Sequence, residues 1–262
     1  MKTKQERHTH ILEMLDIDGR VEVSELASAL GVSEMTCRRD LVELEAAGSL
    51  RRTHGGAVNA VGRALEPAFR VREHRAVAQK RAIAARAAEE VRDGDAIALD
   101  VGSTGLTMVP HLTRRSDLTI TTANLRTAWE IANALSLEST ARLIVAGGVV
   151  RAEELAMSGV ASMHHYSTMR VDVAFLGVGG IDPDAGVTDY NLEDAELKRI
   201  LTATAKRVIV LADASKLGQE TFAFVSGLDS VDLLITDDRA DPALLERFRQ
   251  AGLEVAVASV DA

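Results

Sequence analysis

Residues 30–58 read LGVSEMTCRRDLVELEAAGSLRRTHGGAV. Gly31 suits a left-handed turn and Ser33 an N-cap, while Cys37, Leu41 and Leu44 share one helical face, so the spacing predicts a helix beginning after Ser33. Just upstream, Leu26, Ala27 and Leu30 follow Ser24, a second candidate cap, and form a shorter helix. Earlier still, Ile11, Leu12 and Leu15 make an apolar stripe on a helix from about Lys4 to Leu15, ending before Asp18-Gly19. Two short helices around a tight glycine turn make a helix-turn-helix, a pairing that ordinary helical domains also use. Downstream, LRRTHGGAV predicts two short strands turning at Gly55-Gly56. They form either a wing beside a nucleic-acid backbone or an interdomain hairpin held by Arg51 and Arg52.

The charges bear on that choice. Residues 1–60 hold 8 Lys or Arg and 10 Asp or Glu, yet four of the basic residues are Arg38, Arg39, Arg51 and Arg52. A helix entering a major groove needs small polar residues at its amino end and basic residues near the phosphates. Ser33, Glu34, Met35, Thr36, Arg38 and Arg39 supply that set, and Arg51, Arg52 and His54 extend it onto the wing. Asp40 and Glu43 flank the basic residues and are expected to orient them through ion pairs of modest worth. Cys37 reads as a small buried hydrophobe rather than a redox sensor. The net charge of −9 over 262 residues excludes a protein that is basic throughout, but not a confined patch. A single cysteine excludes an internal disulfide framework and a finger-type zinc site, and His8, His10 and His54 lack ligand spacing, so no metal is expected. The polar start MKTKQERHTH and the absence of an 18-residue apolar run point to a cytoplasmic chain with no membrane segment.

From about residue 95 the texture changes to short apolar runs alternating with helical patterns. Candidate strands are AIALD (96–100), LTITT (118–122), RLIVAG (142–147), VDVAFLG (171–177), RVIVLAD (207–213), VDLLITD (231–237) and VAVA (255–258). Helical patterns fall at 104–112, 124–136, 153–166, 193–205 and 241–250, after one through Ile83, Ala87 and Val91 that ends at Asp93-Gly94. Continuous apolar strands with helical covers describe an α/β domain with a mostly parallel sheet. The expected order is a winged helix-turn-helix at 1–58, a linker at 59–75 containing Gly62 and Pro67, and a larger α/β domain at 76–262. Ligands of such sheets bind outside the carboxyl ends of the strands. There the sequence places Gly102, Ser103, Thr104 and Gly105, then Thr121, Thr122 and Asn124, then Gly147 and Gly148, then 177–180. Glu193, Glu196, Lys198 and Arg199 open a later helix, and Asp213, Ser215 and Lys216 follow another strand. The first of these turns lacks GxxxxGK and GxGxxG spacing, so a small anion is indicated rather than ATP or a dinucleotide. Lys216 is placed to neutralise a phosphate, and Asp213 or Glu196 to accept sugar hydroxyls. Surface ion pairing and helix capping are the alternative account of the same residues.

The 30–58 stretch resembles the amino-terminal signature of the DeoR family of bacterial transcriptional regulators, and the likeness extends over nearly the whole chain. It implies a winged helix-turn-helix on operator DNA and a sensor domain similar to ribose-5-phosphate isomerase. In that likeness Asp100, Gly102, Ser103 and Thr104 match the phosphate turn, and Gly147 and Gly148 a rim loop. Glu196 and Lys198 match an acidic-basic segment, and Asp213, Ser215 and Lys216 a terminal motif. The implied effector is a phosphorylated sugar or polyol, with no cofactor besides. Paired winged helices and symmetric operators imply a homo-oligomer, dimer or tetramer. Two departures stand out: Cys37 where the family places Ile or Val, and Thr122-Ala123-Asn124 where it often has Thr-Asn, which bears on effector specificity. The leading expectation is a repressor of a carbohydrate-utilisation operon, released by its effector and without catalytic residues. A sugar-phosphate isomerase using Asp100, Asp213 and Glu196 is the alternative, and a metabolite-binding protein that has lost DNA binding is a third.

Overall fold

A computed structural model describes residues 3–18, 20–59, 63, 66–112, 115–135 and 140–260. The chain divides into two units, Met1–Ala76 and Val77–Ala262.

The first unit runs α1 (Lys4–Asp18), β1 (Arg20–Glu22), α2 (Val23–Leu30), α3 (Glu34–Ala46), β2 (Leu50–Arg52), β3 (Gly56–Asn59) and α4 (Phe69–Arg72). Its core joins Ile11, Leu12 and Leu15 of α1 to Leu26 and Leu30 of α2 and to Cys37, Leu41 and Leu44 of α3. Helix α1 continues three residues past Leu15; Gly19 lies outside the described residues, as does Gly62. The hairpin acquires a third strand that the sequence reading did not find, giving an antiparallel sheet ordered β1-β3-β2. Gly56 makes that third strand possible, because a Cβ there would fall 1.8 Å from the Val21 carbonyl oxygen. Ser24 does not cap α2. The helix begins one residue earlier, and the wing turn supplies an acceptor instead, with the Val23 N–H donating to Gly55 O at 2.8 Å. The segment expected as a linker carries the end of β3 and all of α4, and lies in the first unit.

The second unit runs α5 (Val77–Ala88), β4 (Ala96–Leu99), α6 (Ser103–Leu106), α7 (Val109–Leu112), β5 (Thr119–Thr122), α8 (Leu125–Ala134), β6 (Arg142–Val145), β7 (Val149–Arg151), β8 (Ala156–Ser158), α9 (Val160–Ser167), β9 (Val171–Gly177), β10 (Gly180–Asp182), β11 (Gly186–Asp189), α10 (Leu192–Thr204), β12 (Ala205–Leu211), β13 (Ala223–Ser226), β14 (Leu233–Asp237), α11 (Pro242–Gln250) and β15 (Glu254–Ala258). Seven strands form one sheet, ordered β15-β14-β12-β9-β4-β5-β6, with every neighbouring pair parallel. Alternate residues of its strands serve two separate cores. Val173, Phe175, Ile209 and Leu211 pack with Ile83, Ala84 and Ala87 of α5 on one face. Ala174, Leu176, Val208 and Val210 pack with Leu197 and Leu201 of α10 and Phe248 of α11 on the other. Burial on both faces is why the central strands carry apolar residues at successive positions, as in Ala174-Phe175-Leu176 and Val208-Ile209-Val210-Leu211.

Two expected helices needed correction. The 104–112 pattern is split into α6 and α7, and the 153–166 pattern is part helix and part strand. In the second case Met157 N–H donates to Ala123 O and Leu125 N–H to Leu155 O, both at 2.8 Å, so residues 155–157 join an extended ladder rather than a helix. The resulting β7–β8 ribbon and the antiparallel sheet β10-β11-β13 both lie beyond the sequence reading. Among the described residues no helix is long and apolar enough to cross a membrane.

Candidate functional sites

In the first unit, Gly31 takes a left-handed φ of 65° and donates its N–H to Ala27 O, ending α2. Ser33 then caps α3, its hydroxyl accepting from Thr36 N–H at 3.2 Å. Glu34, Met35, Arg38 and Arg39 are exposed and Thr36 is half-buried, while Cys37, Asp40, Leu41 and Leu44 face inward. Arg38 pairs with Glu34 at 3.0 Å. Arg39 and Arg51 are exposed, and their side chains carry no hydrogen bond or ion pair among the described residues. Arg52 lies 3.7 Å from Glu45, whose other oxygen accepts the Arg52 backbone N–H, and His54 is exposed in the wing turn. Asp40 and Glu43 do not orient the α3 arginines. Asp40 is buried and takes both forks of Arg7 from α1, at 2.7 and 2.9 Å, and Glu43 pairs with Lys4 at 2.5 Å. They fix α3 to α1 and leave its outer face free. Burial pushes the Cys37 thiol up, so it is unreactive at neutral pH.

In the second unit, the turn after β4 is buried: Asp100, Gly102, Ser103, Thr104 and Gly105 are all shielded. Lys80 of α5, itself buried, donates to Ser103 Oγ at 3.0 Å. Asp213 caps the single turn Ala214–Lys216, its carboxylate accepting from Ser215 N–H and, at 2.5 Å, from Ser215 Oγ. Burial disfavours its charge, but Lys80, Lys216 and the Ser215 hydrogen bonds hold the carboxyl below its usual range. Lys216 donates to the Tyr190 hydroxyl at 3.2 Å, with its ammonium 5.3 Å from that ring's centre. Ser103, Lys80, Asp213 and Lys216 therefore make a cationic corner at the carboxyl ends of β4 and β12.

Beside it lies a second cluster. Lys198 of α10 is 1% exposed, 2.6 Å from Asp100 and 3.2 Å from Asp189 at the end of β11. Burial opposes its charge, and Asp100, Asp189 and Asp194 more than offset that, holding the ammonium above its ordinary range. Burial pushes Asp100 the other way, to about 6, even with Lys198 at hand. Asp194, one helical turn before Lys198, is also buried and pairs with Arg151 of the ribbon. The neighbouring Glu193 accepts from the ribbon's Ser158 hydroxyl.

Other expected rim residues have structural partners. Glu196 is half-buried and pairs with Arg199, outside the Asp100–Lys198 cluster. Asn124 caps α8, accepting from Thr127 N–H at 2.9 Å, and Thr122 Oγ1 accepts the Asn124 N–H. Ala123 is buried in the core. Gly147 O accepts from the Ser162 hydroxyl, and Gly148 packs where a Cβ would meet Ser158 O at 2.4 Å. Of the His164-His165 pair only His164 lies on the surface. His165 reaches Thr121 at 3.1 Å, and burial lowers its pKa. The sequence reading missed Lys80, Asp189, Asp194, Arg151 and Tyr190.

A DeoR-like helix-turn-helix domain model matches residues 7–60, and a DeoR C terminal sensor domain model matches residues 75–238. The chain is 33% identical to the HTH-type transcriptional regulator GolR of Listeria innocua serovar 6a over 97% of this chain and 98% of that one. It is 31% identical to the glycerol-3-phosphate regulon repressor of Escherichia coli K12, over 90% and 92%. Among solved structures, ribose 5-phosphate isomerase A of Methanocaldococcus jannaschii covers 53% of each chain at 19% identity and a TM-score of 0.38, a likeness that carries no functional weight.

Proposed function

Because the chain belongs to the DeoR family of transcriptional regulators, we propose that it represses a carbohydrate-utilisation operon and leaves its operator when a phosphorylated sugar or polyol occupies the sensor sheet's carboxyl end. It is a DNA-binding regulator; the operon and the effector are the proposed part. The observation that carries the effector reading is Lys80, a buried ammonium donating to Ser103 of the phosphate-compatible turn, with Lys216 acting on the same carboxylate, Asp213. Asp213 is the carboxylate that already faces both ammonium groups, so these three side chains carry two cations to one anion. A phosphate accepting from the Ser103 and Thr104 hydroxyls and from the two ammonium groups balances that charge. The adjoining carboxylates, Asp100, Asp189 and Asp194, suit the hydroxyls of the attached carbon chain.

On the DNA side, Arg39 and Arg51 support phosphate contacts because no protein partner must be given up, whereas Arg38 first leaves Glu34. The effector acts by binding the DNA-incompetent population more tightly. A homo-oligomer follows from the symmetry of operators read by paired helices. The isomerase alternative is set aside: the relatives are regulators, and Glu196, one of its three candidate groups, is engaged with Arg199.

The test is a gel shift on the chain's own promoter region, titrated with glucose 6-phosphate, fructose 6-phosphate, ribose 5-phosphate and glycerol 3-phosphate. Release by one of them, abolished in Lys80→Met, is the expected result. Operator binding that no phosphorylated carbohydrate alters sinks the reading.

A further inference from the structure

The ribbon β7–β8 carries an arginine whose bonding is incomplete. Arg151 reaches Asp194 through one terminal nitrogen, while its Nε is buried and has no hydrogen-bond partner among the described residues. On the other side of the same ion pair, Asp194 Oδ1 is likewise buried and without a partner, on a residue only 2% exposed. One pair thus holds an unused donor and an unused acceptor. Each is costly to leave unmade in a protein interior. Asp194 also acts electrostatically on Lys198, the ammonium that binds Asp100 beside the Ser103 turn. The two unfilled positions therefore adjoin the effector site and are separated from bulk water.

A hydroxyl group has what such a pair of atoms lacks, a hydrogen for Asp194 Oδ1 and an oxygen for the Arg151 Nε–H. The fully ionised phosphate monoester offers acceptors alone beside a carboxylate, and a methylene satisfies neither. We infer that Arg151 and Asp194 form a hydroxyl-reading subsite that selects effectors bearing a hydroxyl at one position of the carbon chain and rejects the corresponding deoxy compound. The inference rests on the effector reading above and names what discriminates within it. Sites built to hydrogen-bond a substrate hydroxyl reject the analogue lacking it more strongly than apolar pockets reject an extra group.

The test uses the full chain and isothermal titration. Inorganic phosphate, glucose 6-phosphate, fructose 6-phosphate, ribose 5-phosphate and glycerol 3-phosphate are compared, followed by the monodeoxy analogues of the tightest binder. In the unsubstituted protein one analogue is expected to bind at least tenfold more weakly than its parent. In Arg151→Lys, which keeps the cation and removes the Nε–H, parent and analogue are expected to bind alike, with inorganic phosphate unchanged in both proteins. Should Arg151→Lys fail to fold, the paired variant R151M/D194L serves, since apolar side chains of similar size commonly replace a buried ion pair without loss of stability. If each analogue loses the same factor in variant and parent protein, the positions hold water and the inference is overturned while the effector reading stands. If no sugar phosphate outbinds inorganic phosphate, both fall together.

Discussion

Lys80 shares a helical face with Ile83, Ala84 and Ala87, so a lysine occupies a place in the stripe where an apolar residue belongs. That mismatch was the one visible sign of its role, and it is legible only when a charged residue inside an apolar periodicity is treated as information. Asp189 and Asp194 offered no such sign, because the tertiary fold alone directs them at Lys198 rather than at solvent. We predict that Lys80→Met weakens binding of inorganic phosphate by about tenfold or more and lowers the melting temperature, because the buried Asp213 carboxylate loses one of the cations that keep it ionised. In Lys198→Met, Asp100 and Asp189 lose their shared cation, and the second unit is expected to lose on the order of 3–5 kcal/mol in urea unfolding. Asp100 adds a pH dependence. Its carboxyl pKa is raised from 3.8 to about 6 in the folded chain, so the folded state holds a proton that the unfolded state releases. Its contribution to stability is therefore full below about pH 4 and declines as the pH rises through about 6. The difference in unfolding free energy between wild type and Asp100→Asn should fall across that window, and a flat difference would count against this account.

Elements were legible in proportion to how much of their stability is local or periodic. The strands of the parallel sheet announced themselves because helices on both faces favour successive apolar residues, most plainly in β9, β12 and β14. The strands of β10-β11-β13 are three or four residues each; β10 and β11 mix glycine, aspartate and threonine with single apolar residues, and β13 is only Ala-Phe-Val-Ser, too short a run to detect. Strand β1 escaped for a related reason: its three residues are strand only because Gly56 lets β3 approach them. That contact is also the test of the wing. Gly56→Ala places a methyl group into the Val21 carbonyl, and the expected result is a loss of more than about 2 kcal/mol from the first unit, with DNA binding lost in parallel. A variant that melts and binds as wild type would show that the β1–β3 pairing is dispensable.

At the scale of the molecule, acidity and DNA binding coexist by segregation. The net charge is −9, yet the outer face of α3 and the wing present Arg39 and Arg51, whose side chains have no partner among the described residues. Binding to a random-sequence duplex should weaken steeply with added salt, and Arg39→Ala should lower the slope of log affinity against log salt by about one. An unchanged slope would place Arg39 off the DNA. The division at residue 76 also has a consequence in time. Synthesis proceeds from the amino end at about 5–20 residues per second, so the DNA-reading unit is complete roughly ten to forty seconds before β15 closes the sheet. Lys80 is made early and Lys216 late, and the corner they share exists only once both have been made. A chain cut short between them holds the complete first unit but lacks Lys216, and with it the corner.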